Sequence, residues 1–125
     1  MRLFIYLFLA GGLLSACQSP KTENQLAGTW TSTRVLENEV ALPLNPGVIQ
    51  FAFTADGHYD YQSTLNYKES GNYYVEGMIL YATDTTHEAS FQRTVKLEHL
   101  SADSLVIQMQ EEGKNRQIFL RSGSE

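Results

Sequence analysis

Val48-Ile49-Gln50-Phe51-Ala52-Phe53-Thr54-Ala55-Asp56-Gly57-His58-Tyr59-Asp60-Tyr61-Gln62 reads as two strands and the turn between them. Ile49, Phe51 and Phe53 share one face of an extended chain, with Val48, Gln50 and Ala52 on the other. Ala55-Asp56-Gly57 offers the position of positive φ that a tight hairpin needs. Alternation resumes at His58 and runs to Leu65, setting Tyr59, Tyr61 and Leu65 against His58, Asp60, Gln62 and Thr64.

The same grammar continues in both directions. Thr29 to Glu37 precedes the hairpin, and Asn72 to Glu76, Met78 to Thr83, Ala89 to Leu100, Ser104 to Glu111 and Asn115 to Arg121 follow it. Phe91, Val95 and Leu97 are expected on one face of their strand, and Leu105, Ile107 and Met109 on one face of theirs. Gly71, Gly77, Ala102-Asp103 and Glu112-Gly113 mark turns. The β-branched and aromatic content of the segments and the shortness of most gaps point to antiparallel neighbours and to no helix. Asn38 to Gly47, which holds Pro43 and Pro46, is expected to be a longer loop or lid. The fold class is therefore all-β: an eight-stranded antiparallel up-and-down barrel, which leaves no exposed edge, with a two-sheet sandwich as the alternative.

The N-terminus has a different character. Arg2 precedes an unbroken apolar run from Leu3 to Leu14. Twelve residues make about 18 Å of helix, too short for a bilayer core of roughly 30 Å, so residues 1–16 read as a secretory signal. Leu14-Ser15-Ala16-Cys17 resembles the bacterial lipobox. That resemblance implies cleavage after Ala16, diacylglycerol on the Cys17 sulfur and acylation of the new N-terminus. Each buried methylene contributes about 0.8 kcal/mol, so several chains anchor stably. Cys17 is the sole cysteine, which leaves an exported chain no disulfide to form. Gln18 and Ser19 follow it. By resemblance to the sorting rule of enteric lipoproteins, that implies the outer membrane, and we expect its periplasmic face. Residues 17–25 read as a lipidated tether broken by Pro20, and residues 26–122 as the barrel domain.

Without the signal, eight Lys and Arg face fourteen Asp and Glu, a formal charge of −6. The basic residues form no stripe, which argues against nucleic acid.

Leu26-Ala27-Gly28-Thr29-Trp30 carries the Gly-x-Trp element that opens lipocalins and related calycin barrels. Asp56-Gly57-His58-Tyr59 after an aromatic strand, Gly71 to Val75, and the Leu100 to Leu105 turn are similar to small bacterial lipocalin-like domains. The resemblance spans most of the chain after Cys17. It implies that Trp30 plugs the closed end of the barrel, packed against an arginine of the last strand, Arg121 or Arg116. It also implies the capacity to hold a small ligand inside.

Six tyrosines lie between residues 59 and 81. Tyr59, Tyr61 and Tyr73, with Phe51, Phe53 and Met109, are the residues expected to line an amphipathic pocket. As core and sheet surface they would need no ligand at all, since aromatics favour strands.

Other constellations carry less. His58 with Asp60, and Asp84 with His87 and Glu88, lack the convergent ligands of a defined metal site, and His99 is expected at a barrel end. No serine sits in a nucleophile elbow, and no phosphate- or dinucleotide-binding glycine pattern occurs. We therefore expect no enzyme activity, no metal and no cofactor. Two functions follow as expectations. One is an anchored protein binding a small apolar or amphipathic ligand at the cell envelope. The other is a filled barrel that binds an envelope protein, or inhibits an attacking enzyme such as a lysozyme, through its rim and the Asn38 to Gly47 loop. The lysozyme-inhibitor lipoproteins also use eight-stranded barrels, but their cysteine-bearing motifs do not occur in this sequence. Replacing Cys17 by alanine should abolish palmitate labelling and leave the uncleaved or soluble form, which metabolic labelling with a membrane fractionation would read.

Overall fold

The computed structural model describes residues 22–87 and 91–123. The signal segment and Cys17 lie outside the described residues. A short helix, α1 (Thr22–Leu26), leads into β1 (Gly28–Glu37), β2 (Val40–Ala41), β3 (Gln50–Phe53), β4 (His58–Gln62), β5 (Lys68–Glu76), β6 (Ile79–Asp84), β7 (Gln92–Leu100), β8 (Ser104–Glu111) and β9 (Lys114–Ser122). Neighbours in sequence pair antiparallel from β3 to β9, and β1 pairs with β3 on one side and β9 on the other. The result is a closed, eight-stranded antiparallel up-and-down barrel, with β2 as a small addition beside the far half of β1.

The opening hairpin forms as its pattern dictates. Gln50 to Phe53 pairs with Tyr59 to Gln62, and Gly57 takes φ +99° in the turn. Ile49, Phe53 and Tyr59 are buried while Asp60 and His58 are exposed, so the inside/outside alternation holds. It fails at Leu65. That residue sits in a tight turn at Thr64–Asn66 with φ +60° and is 97 % exposed, not on the inner face with Tyr59 and Tyr61. The strand ends at Gln62 because Ser63 N–H bonds Tyr67 O across the turn (3.0 Å), starting β5 four residues before the Asn72 that the pattern suggested.

Two further differences concern the ends. Thr22–Leu26 is helical where only tether was expected up to Gln25, and Glu23 fastens it by accepting the Val75 N–H at 3.0 Å. The Asn38 to Gly47 stretch is not a free lid. Asn38 and Glu39, at φ +50° and +70°, form the turn of the β1–β2 hairpin, a conformation that Asn-Gly or Asp-Gly would have announced and Asn-Glu does not. The chain then runs back along β1, with Leu42 N–H on Val35 O (2.9 Å), Gly47 N–H on Ser32 O (2.7 Å) and Ser32 N–H on Ile49 O (2.9 Å). The otherwise unpaired side of β1 is thereby satisfied, as buried backbone requires.

The core runs the length of the barrel. Leu97, Leu105 and Ile118 are almost fully enclosed, and Leu26 and Trp30 close the end where β1 begins. Gly71 permits one close approach: a Cβ there would lie 1.9 Å from Thr83 O and 3.1 Å from the Tyr59 ring. The Trp30 indole is buried, and its Nε1–H donates to Leu26 O at 2.9 Å, tying the helix end to the barrel floor. Arg121 stands opposite Thr31 in the β1–β9 ladder, beside the Trp30–Ser122 pair. Arg116 lies at the other end, 2.9 Å from Glu37. Truncating a buried tryptophan costs about 3–5 kcal/mol, so Trp30→Ala should lower the melting temperature by more than about 10 °C, as thermal unfolding by circular dichroism would register.

Candidate functional site

An up-and-down barrel has two unlike ends. α1 and Trp30 shut one. At the other lie the β1–β3 connection, the Ser63 to Tyr67 turn, the β6–β7 connection and the Glu112–Gly113 turn. Three of these four carry exposed apolar side chains: Val40 and Leu44, Leu65 and Tyr67, and Phe91. Phe91 was expected inside with Val95 and Leu97. It precedes β7 instead and lies half exposed, with the Arg93 guanidinium 5.1 Å from its ring centre.

Below this rim is the barrel interior. Phe51, Phe53, Tyr59, Tyr61 and Met109 line one cavity, together with Leu80, Val95, Leu97, Leu105 and Ile107. Five of the six residues expected at a pocket are thus brought together. Phe51 packs on Phe53 (5.7 Å) and Tyr61 (4.8 Å). Tyr73, the sixth, is buried nearer the floor, edge-on to Phe53 at 5.1 Å, and its hydroxyl donates to Thr54 O at 2.7 Å. Burial pushes the Tyr73 phenol up to about 12, assisted by the charges of Glu23 and Asp56. The free volume of the cavity is about 30 Å³, the share of one water molecule.

Three ionisable residues also point inward near the mouth. Glu69 is 3 % exposed. Its carboxylate accepts the Tyr59 hydroxyl and the Tyr67 hydroxyl (2.7 Å), and lies 3.4 Å from Arg93 Nη2. Burial, and then the bond to this carboxylate, drive the Tyr59 phenol far above its usual range, so it stays a donor at every physiological pH. The same causes take Tyr67 to about 12. Asp84, 1 % exposed, accepts Thr86 N–H (2.8 Å), the Thr86 hydroxyl (2.6 Å) and His87 Nδ1 (2.5 Å). The His87 ring in turn stacks on Tyr67 at 5.6 Å.

Glu69 and Arg93 were not singled out by the sequence reading, though a signal existed. Arg93 shares the parity of Phe91, Val95 and Leu97, and Glu69 that of Gly71, Tyr73 and Val75. A charged residue on an apolar face was the clue.

Glu88 lies outside the described residues, and the other polar candidates are accounted for locally. His58 Nδ1 lies 3.0 Å from Asn72 Oδ1, Asp60 takes the Ser70 hydroxyl, and His99 Nε2 lies 3.0 Å from Ser104 Oγ. Among the described residues no group of three His, Cys, Asp or Glu converges as a metal set would.

The closed eight-stranded barrel has parallels among solved structures. A lipocalin-like protein from Bacteroides uniformis superposes with a TM-score of 0.59, at 19 % identity over 79 % of this chain and 99 % of that one. The fold is lipocalin-like. An uncharacterized protein from Bacteroides eggerthii superposes at 0.57, with 13 % identity over 78 % of this chain and 99 % of that one. No protein-family model and no curated protein matches the sequence. The interior of this chain buries the carboxylates of Glu69 and Asp84.

Asp84 supplies a pH test. Burial alone would raise its pKa, but the Thr86 hydroxyl and amide and His87 outweigh that and hold it at about 2, against 3.8 for a free side chain. A depressed folded-state pKa stabilises the fold above the unfolded value and loses that contribution as pH falls towards the folded one. Asp84→Asn should therefore melt lower than wild type at neutral pH. The gap should narrow as the pH falls from about 4 to about 2, followed by thermal melts across that window.

Proposed function

We propose that this chain is a binding protein of the cell envelope, lipid-anchored through Cys17 at the periplasmic face of the outer membrane, and not an enzyme. Its barrel takes a small amphipathic molecule, apolar part against Phe51, Phe53, Tyr61 and Met109, polar head on Arg93 and Glu69.

The observation that carries this reading is the Glu69–Arg93 pair, with tyrosine hydroxyls donating to Glu69, in the wall of an otherwise apolar cavity. Desolvating two charges costs several kcal/mol per ion, and a buried pair is often no more stable than apolar residues of the same volume. Such a cluster in a cleft is poor core design and suits recognition of a polar group. The exposed apolar rim residues suit the capture of a poorly soluble molecule.

A free volume of about 30 Å³ requires that the ligand displace side chains. Met109 is the natural mover, being buried at the cavity wall, unbranched and able to change rotamer at little cost. The same small volume favours a second reading, a filled barrel whose rim binds an envelope protein.

Native mass spectrometry of the purified protein after exposure to an envelope lipid extract separates the two. The ligand reading expects a retained small-molecule adduct, more of it in Met109→Ala and at least tenfold less affinity in Arg93→Met. If neither wild type nor Met109→Ala ever carries an adduct, the ligand reading fails. Crosslinking from membranes that captures one protein, and loses it in Leu65→Ser, would then support the second.

A further inference from the structure

The barrel wall has a gap. β7 and β8 pair from Leu100–Leu105 up to Lys96–Gln108, and there the ladder stops. β7 continues to Gln92, held only by β6, and β8 continues to Glu111, held only by β9. In an unbroken register Val95 would face Met109, and Thr94 would face Gln110. A cleft of about 740 Å³ lies there instead, running from the outer surface to Arg93, Val95 and Met109, which also wall the interior cavity.

The direction of the main chain along both walls is fixed. Leu97 N–H bonds Met78 O (2.8 Å), and Phe91 O accepts from Asp84 N–H (3.4 Å), so odd residues of this part of β7 bond towards β6. Backbone groups alternate sides along a strand, and those of Gln92 and Thr94 therefore point into the cleft. On the opposite wall the two-residue Glu112–Gly113 turn makes Glu111–Lys114 a hydrogen-bonded pair, which turns the backbone of Gln110 away from β9 and towards β7.

We propose that this cleft is a docking groove for an extended peptide segment, which adds a strand to the wall by pairing with the main chain of Gln92 and Thr94. The occupant is argued from the chemistry of the walls: unpaired strand edges are templates for another strand. The alternation of the site then sets the peptide's pattern. Side chains pointing inward meet Val95 and Met109, where they must be apolar, with Arg93 at the upper end of the same wall. Those pointing outward lie beside Thr94, Lys96 and Glu112 and are polar, with an acidic residue suited only to the Lys96 end. This groove shares Arg93, Val95 and Met109 with the ligand cavity proposed above, but the main-chain pairing at Gln92 and Thr94 does not depend on that cavity being used.

The test uses the full chain and eight-residue peptides alternating leucine or valine with serine or glutamate, each made also with N-methyl groups on alternate amides. Binding is measured by calorimetry, and the contact is located by amide hydrogen exchange. The proposal expects binding by the unmethylated peptides and a loss of up to about tenfold for each main-chain bond that methylation removes. It also expects slowed exchange at the amides of Thr94 and Gln92. Thr94→Pro removes one cleft-facing donor without touching the β6 ladder, and should weaken binding while melting as a folded barrel. No binding by any peptide, equal binding by the methylated forms, or protection confined to the rim would each overturn the proposal. If Thr94→Pro does not fold, the methylated series decides the matter by itself.

Discussion

Everything in this barrel depends on β1 being hydrogen-bonded along both edges. One edge pairs with β9 over the length from Trp30 to Glu37. The other is shared out: β3 takes Gly28 to Thr31, the returning chain takes Ser32 and Val35, and β2 takes Leu36 and Glu37. Remove that double pairing and the sheet has two open edges, a half-exposed core and a template for aggregation. The proline-bearing connection reads as a loop in sequence. In the fold it is the seam that completes the closure.

Closure at β1 contrasts with the opening between β7 and β8. The two lie on different parts of the wall, and the difference is local chemistry. Around β1 the chain folds back on itself, so the edge away from β9 is filled by the residues that directly follow β1. Near Arg93 the inward side chain is long and charged, drawn across to Glu69 on β5, and β7 follows β6 there while β8 follows β9. Arg93 thus joins three features: the interior polar cluster, the exposed Phe91 ring and the lateral cleft.

The interior is a compromise between core and site. Leu97, Leu105, Ile107 and Ile118 fill the lower barrel as an ordinary apolar core would. Towards the mouth the same inward positions carry Glu69, Asp84 and Arg93, and each is satisfied by specific donors or acceptors. Asp84 is held by three bonds within its own turn, so it costs the barrel little. Glu69 draws its partners from β4, from the turn before β5 and from β7, so its environment exists only in the closed barrel.

That distinction marks what the sequence by itself determined. Alternation with period two, interrupted by Asp-Gly, Glu-Gly and similar turns, is a local property. It sufficed to place eight strands to within a few residues, their inward faces and the barrel; the place of Trp30 at the floor was implied by the Gly-x-Trp resemblance. Five of the six expected pocket residues converge for the same reason, since inward parity is readable one strand at a time. Leu65, the Asn38–Glu39 turn and α1 escaped because positive φ at a non-glycine residue and a five-residue helix leave no periodic trace. Only the tertiary structure decided which strands would part, that Glu69 and Arg93 would meet, and that the interior would be nearly full. Those outcomes depend on register around a closed ring and on the summed volume of side chains from eight strands, quantities that no single segment carries.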